Sequence, residues 1–357
     1  MPALAGQRIF TVGGISLAWE DLVLAGCLWG DWPALEARVR DGLACLARLD
    51  DLDDDDEDAL SEDDVEAAAA EFRYARDLVA AADLEAWLER RGLSVDAWLE
   101  FVRRSLLRER WADALEEIRD EYEIDAADVA GALECEALCG GLASDLAGRL
   151  AARAAIHARD AAGTDAAALA REAETLAAAV PEDVLERALP DVPAAPRRDR
   201  LGALARLEAA WRRFAAAAVS PEALRALVVG RRLDWMRVSV QVVVAPDEDV
   251  AREIAMCVRI DRRPLAEVAE EAGLSAATSE LWVEDVEEAL RDAVVGAQPG
   301  ELLGPLADKT GHLVVMVGDK RPPAPDDPAV RARAERALLA RTVDREVANR
   351  VTWHETL

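Results

Sequence analysis

Arg237-Val238-Ser239-Val240-Gln241-Val242-Val243-Val244 is the stretch whose reading decides the fold. Five of its eight residues are valine, whose branched Cβ is stiff in a helix and packs well on a pleated surface, and Pro246 ends the run. It reads as a strand in a chain that is otherwise helical in texture. Upstream of Leu233 alanine and leucine dominate; apolar residues are 52% of the sequence but aromatics only 4%, which favours helices packed through small side chains. The composition therefore predicts an α+β, mostly helical protein.

Downstream of the strand, Asp247 to Arg259 and Pro264 to Ala272 have helical spacing, Ser279 to Val283 reads as a short strand, and Val286 to Val294 as a helix. Gln298-Pro299-Gly300 is a turn and His312 to Val317 a further strand. After prolines 322, 323, 325 and 328 a long helix runs from about Ala329 to Asn349, and Val351-Thr352-Trp353 closes the chain.

Upstream, Phe10 to Ser16 reads as an extended piece with a glycine turn, after which Ser16 is placed to cap a helix bearing Leu17, Leu22, Leu24 and Leu28. A second helix from about Pro33 aligns Leu35, Val39, Leu43 and Leu46. Ser61 with Glu62, Asp63 and Asp64 marks a helix start. Gly92 and Ser94 separate two helices whose Trp87, Trp98 and Phe101 sit at core spacing, and Gly140-Gly141 breaks Ile124 to Ala158. Ala161 to Asp165 and Pro190 to Arg200 are the strongest breaks in the middle. The expected organisation is a helical domain over 1–120, an alanine-rich helical region over 121–232, a small α+β domain over 233–322, and a C-terminal helix over 323–357 that packs back on the helical body.

With 71 acidic and 42 basic residues the formal charge is −29, a field that repels phosphate backbones and anionic lipid surfaces, so neither nucleic acid nor membrane is expected as partner. Met1 to Gly14 has no continuous apolar core of a secretory signal and no run reaches membrane-spanning length, so the expected location is cytoplasmic. Asp50 to Asp58 is almost wholly acidic; it lacks the glycine and spaced glutamate of an EF-hand turn and reads as a solvated loop. Cys135 and Cys139 share a helical face, but no second thiol pair or histidine completes a zinc tetrahedron, so no metal and no cofactor are expected.

Pro299-Gly300-Glu301-Leu302-Leu303-Gly304-Pro305-Leu306 followed by Gly311-His312-Leu313-Val314-Val315-Met316-Val317 resembles the turn and closing strand of parvulin-type prolyl isomerases. Pro264-Leu265-Ala266-Glu267-Val268-Ala269 is similar to that family's helix of sequence FAELA, and Ala86 to Leu107 resembles the helical N-terminal domain of SurA-type chaperones. The resemblance implies a SurA-like helical body plus a small parvulin-like mixed sheet, and peptide or unfolded polypeptide as ligand. It also implies two histidines and a cysteine or aspartate at the site. Here Gln241 stands in the place of one histidine, Ser275 to Ser279 is a shortened loop without thiol or carboxylate, and His312 is the one family-position catalytic candidate. Rotation about an X–Pro bond faces a barrier of roughly 20 kcal/mol, and glutamine does not titrate as imidazole does.

The expected function is therefore a degenerate isomerase that binds peptide through Gln241, Trp282, His312 and Met316, holding a ribosomal precursor peptide during maturation by modifying enzymes, as a monomer or homodimer. The resemblance extends in outline to peptide-maturation proteins encoded beside such precursors. A working prolyl isomerase or foldase is the alternative, and a third reading is promotion of backbone cyclisation by positioning the bound peptide.

Overall fold

The computed structural model describes residues 4–52, 60–160, 166–308 and 311–354. They form two units, one of residues 1–215 with 342–357 and one of residues 216–341. The α+β, mostly helical class is borne out.

The first unit begins with a hairpin, β1 (Arg8–Val12) and β2 (Ile15–Ala18), turned by Gly13 and Gly14 at φ +56° and +84°, where a side chain is disfavoured. Helices follow: α1 (Trp19–Trp29), α2 (Asp31–Asp50), α3 (Glu62–Tyr74), α4 (Ala81–Arg90), α5 (Val95–Arg110), α6 (Leu115–Glu121), α7 (Ala126–Cys139), α8 (Leu142–Asp160), α9 (Ala166–Ala178), α10 (Glu182–Ala188) and α11 (Ala194–Ala218). The expected helix at Ser16 is corrected: Ser16 and Leu17 belong to β2, and α1 starts three residues later. There the Asp21 carboxylate, two residues inside the helix, reaches back and accepts a hydrogen bond from the Ala18 N–H at 2.8 Å, while Ala18 itself has no side-chain oxygen to cap the first turn.

Leu22, Val23, Leu24 and Ala25 are all buried, so α1 is enclosed on all sides. Alanines 147, 151 and 154 of α8 let the two helices approach, and a Cβ on Gly26 would stand 3.2 Å from Leu146. A second core gathers Phe72, Trp87, Trp98 and Phe101, with Phe72 5.6 Å from Trp98 and edge-on to Trp87 at 5.7 Å, a geometry that aromatic quadrupoles favour. Cys135 and Cys139 lie buried in this core, Sγ atoms 3.7 Å apart.

In the second unit the Ser220 hydroxyl caps α12 (Pro221–Gly230) by accepting from the Ala223 N–H. Then come β3 (Arg237–Ala245), α13 (Glu248–Asp261), α14 (Leu265–Glu271), β4 (Ala276–Trp282), α15 (Glu288–Gly296), β5 (Leu302–Asp308) and β6 (Gly311–Arg321). The strands pair antiparallel in the order β4-β3-β6-β5. β5 is an addition to the sequence reading, where Gly304-Pro305 argued for a turn; the pairing with β6 shifts register between Leu303 and Leu306 and so accommodates the proline on an edge strand.

Helix α16 (Pro328–Arg350) begins in the second unit and ends in the first, where β7 (Val351–Trp353) pairs with β1, giving the sheet order β2-β1-β7. Most of the acidic run and the break at 161–165 lie outside the described residues. Among those described, no helix is long and apolar enough to cross a membrane.

Candidate functional site

Strand alternation sorts the second unit's sheet into two faces. Gln241 stands opposite Met316, Val243 opposite Val314 and Ala245 opposite His312, so these six side chains share one face. Val243, Ala245 and Val314 are buried there against Ile254, Val258 and Val268 of α13 and α14, with Met316 packed alongside. The other face carries Val238, Val240, Val315 and Val317, which pack with Val283 and with Val294 of α15. Ser279, opposite Val240, and Lys320, opposite Val238, are polar positions on the same face, and Lys320 Nζ donates to the carbonyls of Val295 and Ala297 at the end of α15.

Of the four sequence-derived residues, Gln241 and Met316 are cross-strand neighbours in a row Thr278-Gln241-Met316-Leu302 that crosses all four strands. His312 lies four residues along β6, about 13 Å at the rise of an extended strand. Among the described residues no other side chain hydrogen-bonds to His312. Trp282 sits at the opposite end of β4, across from Arg237. Its ring meets two guanidinium groups, Arg237 at 5.4 Å and Arg333 at 4.7 Å from its centroid, and packs with Trp235 and Val330. The fold thus unites Gln241 with Met316 and leaves His312 and Trp282 at the two ends. The register therefore sets Gln241 and His312 four residues apart along the sheet, about 13 Å of backbone.

The two sheet edges differ. On β5, Pro305 has no N–H to offer, and Arg259 Nη2 donates to the carbonyls of Leu302 and Gly304 at 3.0 Å each. On β4 the seven-residue ladder to β3 runs without a register shift, and Ala277, Thr278, Ser279 and Glu280 are exposed. Among the described residues nothing besides β3 hydrogen-bonds to the β4 backbone. An edge of unpaired N–H and C=O groups is a template for another strand.

Sequence reasoning missed a second feature, a cleft of about 610 Å³ in the first unit. Its lining comes from α1 (Trp19, Val23), α2 (Trp32), α7 (Gly131, Leu133) and the end of α10 with the following loop (Leu189, Val192). Trp19 meets Trp32 edge to face at 6.3 Å. Two lining carboxylates fasten the N-terminal turn: Glu134 accepts from the Leu4 N–H at 2.8 Å and Glu20 from the Gly6 N–H at 2.7 Å. Arg187, also in the lining, donates to Asp183 at 2.7 Å and lies 3.5 Å from Glu36, whose carboxyl is pushed above its ordinary range by burial. The signal in the sequence was a tryptophan on each side of the Gly30 helix break, which periodicity alone assigns to a core.

No protein-family model and no curated protein matches the chain. Solved structures do. The chain is similar to the peptidylprolyl isomerase PrsA of Bacillus anthracis at 11% identity and a TM-score of 0.31, over 56% of this chain and 94% of that one. It is similar to PrsA of Bacillus subtilis at 13% identity and a TM-score of 0.22, over 61% and 84%. Likeness at this level transfers neither residues nor activity.

Proposed function

We propose that the protein binds an extended polypeptide as a fifth strand on β4 and performs no side-chain acid–base chemistry on it. The bare β4 edge carries this reading. One edge of the sheet is closed by Pro305 and Arg259, while the other offers seven residues in regular register with an exposed middle. Strand addition draws affinity from main-chain hydrogen bonds and selectivity from flanking pockets. The sequence resemblance to parvulins, with His312 alone of their proton-handling residues, fits a holding role, and a ribosomally made precursor peptide awaiting its modifying enzymes is the ligand we favour.

Amide hydrogen exchange tests it. A saturating extended peptide should slow exchange at alternate residues of 276–282 and leave 302–308 unchanged; equal protection of both edges, or of neither, refutes the proposal. Catalysed isomerisation of a proline test peptide that is lost in His312→Ala would show chemistry where none is expected.

A further inference from the structure

A strand that joins a sheet at its edge inherits the pleat, so its side chains fall alternately on the two faces already there, and at the β4 edge those faces are unlike. On the Gln241 face the edge is polar. Thr278 and Glu280 are exposed, with Gln241 and Ser239 behind them on β3, and the Glu280 carboxylate is held by Arg237 at 3.1 Å and Arg321 at 3.5 Å.

On the opposite face the edge residues are Ala277, Ser279 and Leu281, and behind them stand Val242, Val240 and Val238. Helix α15 seals only part of this valine surface. Val238 and Val240 are buried in the cluster that holds Val294, whereas Val242 is half-buried and Val244, paired with the half-buried Leu313 of β6, is 43% exposed. Ala277 and Ser279 are exposed and small. A branched apolar side chain set beside them would cover them and extend the valine surface by one strand, through the cross-strand contacts that stabilise a pleated face. The same side chain on the other face would lie against Thr278 and Glu280 and bury little apolar area.

We infer that β4 selects segments in which β-branched apolar residues alternate with polar ones, the apolar set lying on the Ala277 face; the inference rests on the reading of β4 as the peptide edge and names the class of segment bound. The seven residues of β4 set the length of that segment. Its register is fixed as well, because a slip of one residue would turn the whole apolar set onto the Thr278 and Glu280 face.

The test offers the full chain two peptides of one composition, each a run of four valines and three threonines between terminal lysines. In the first, valine and threonine alternate, so all the valines fall on one face; in the second, Val-Val-Thr-Thr-Val-Val-Thr, the period of two splits them equally between the faces. Calorimetry should show the alternating peptide binding roughly tenfold tighter, since more of its valine surface leaves water. Ala277→Gln should reduce that preference to within about twofold, and Thr278→Gln, one residue along on the other face, should leave it intact; both positions are exposed, and thermal unfolding checks that each variant keeps its fold. Equal affinity for the two peptides, or a preference that the two substitutions affect alike, overturns the inference. If both peptides slow amide exchange at 276–282 to the same degree, this inference alone falls and strand addition stands; if neither does, the function proposed above falls with it.

Discussion

Glu136→Gln should unfold the first unit at a markedly lower denaturant concentration. Glu136 on α7 is fully buried and faces three guanidinium groups: Arg108 at 2.8 Å, Arg104 at 3.4 Å and Arg38 at 3.5 Å. At an effective dielectric near 20, the two shorter contacts are worth about 6 and about 5 kcal/mol before desolvation is subtracted. Not all of that is lost. The side chains of Arg38 and Arg108 are 45% and 14% exposed and can turn toward water once the carboxylate is gone. Arg104 is different, since its side chain is 2% exposed and its other acidic neighbour, Glu100, is 3.9 Å away and largely in solvent. Gly42 leaves room for it, for a Cβ at that position would lie 2.9 Å from the Arg104 Cβ. The net effect is that of one uncompensated buried cation, about 3–5 kcal/mol. For a unit of some 200 residues this is a fall in Tm of roughly 10 °C. Urea titration followed by circular dichroism measures it. Adding Arg104→Met removes the stranded charge and should recover at least half of the loss. A single-variant loss under about 1 kcal/mol, or a double variant no more stable than the single, refutes the assignment.

The buried thiols give a second expectation: burial pushes Cys27 up to about 12 and Cys45 up to about 11, and Cys135 and Cys139 are enclosed, so under native conditions at pH 8 a disulfide reagent should label Cys257 alone and all five only after denaturation. Glu208 is subject to burial, which raises its pKa, but hydrogen bonds from Arg153, Arg212 and the Trp29 indole outweigh that and hold it below the ordinary value. Because its folded pKa is depressed, its contribution is present above the unfolded carboxylate value of about 4.3 and is lost as pH falls through the folded one; Glu208→Gln should flatten the stability–pH curve below about pH 4.5 and not above it. Gly311→Ala should destabilise the second unit by about 2 kcal/mol or more, since φ is +145° and the new Cβ would stand 2.5 Å from the Ala245 carbonyl oxygen; unchanged thermal unfolding would contradict that close approach.

Much of the architecture is legible residue by residue. The valine run at 238–244, the hydroxyl or carboxylate caps at Ser61, Ser94, Ser220 and Asp247, and the glycine break at 140–141 each express a preference settled within a few neighbouring residues. Leu302–Asp308 escaped because glycine and proline weaken any local strand signal, and only its partner β6 supplies the reason to extend. The site was legible in part. Period-two alternation places Gln241 and Val243 on one face, but pairing register alone puts Met316 across from Gln241, and side-chain packing alone brings two arginines onto the Trp282 ring.

By itself, then, the sequence determined the helical majority, the position of the central strand and the acidic field, because propensity, capping and charge depend on short stretches or on simple sums. Only the tertiary structure decided which edge of the sheet is bare, where four helices fail to close, and that Glu136 meets Arg104. Those features join residues tens to hundreds of positions apart, and nothing in a local pattern records which distant surface will cover a given side chain.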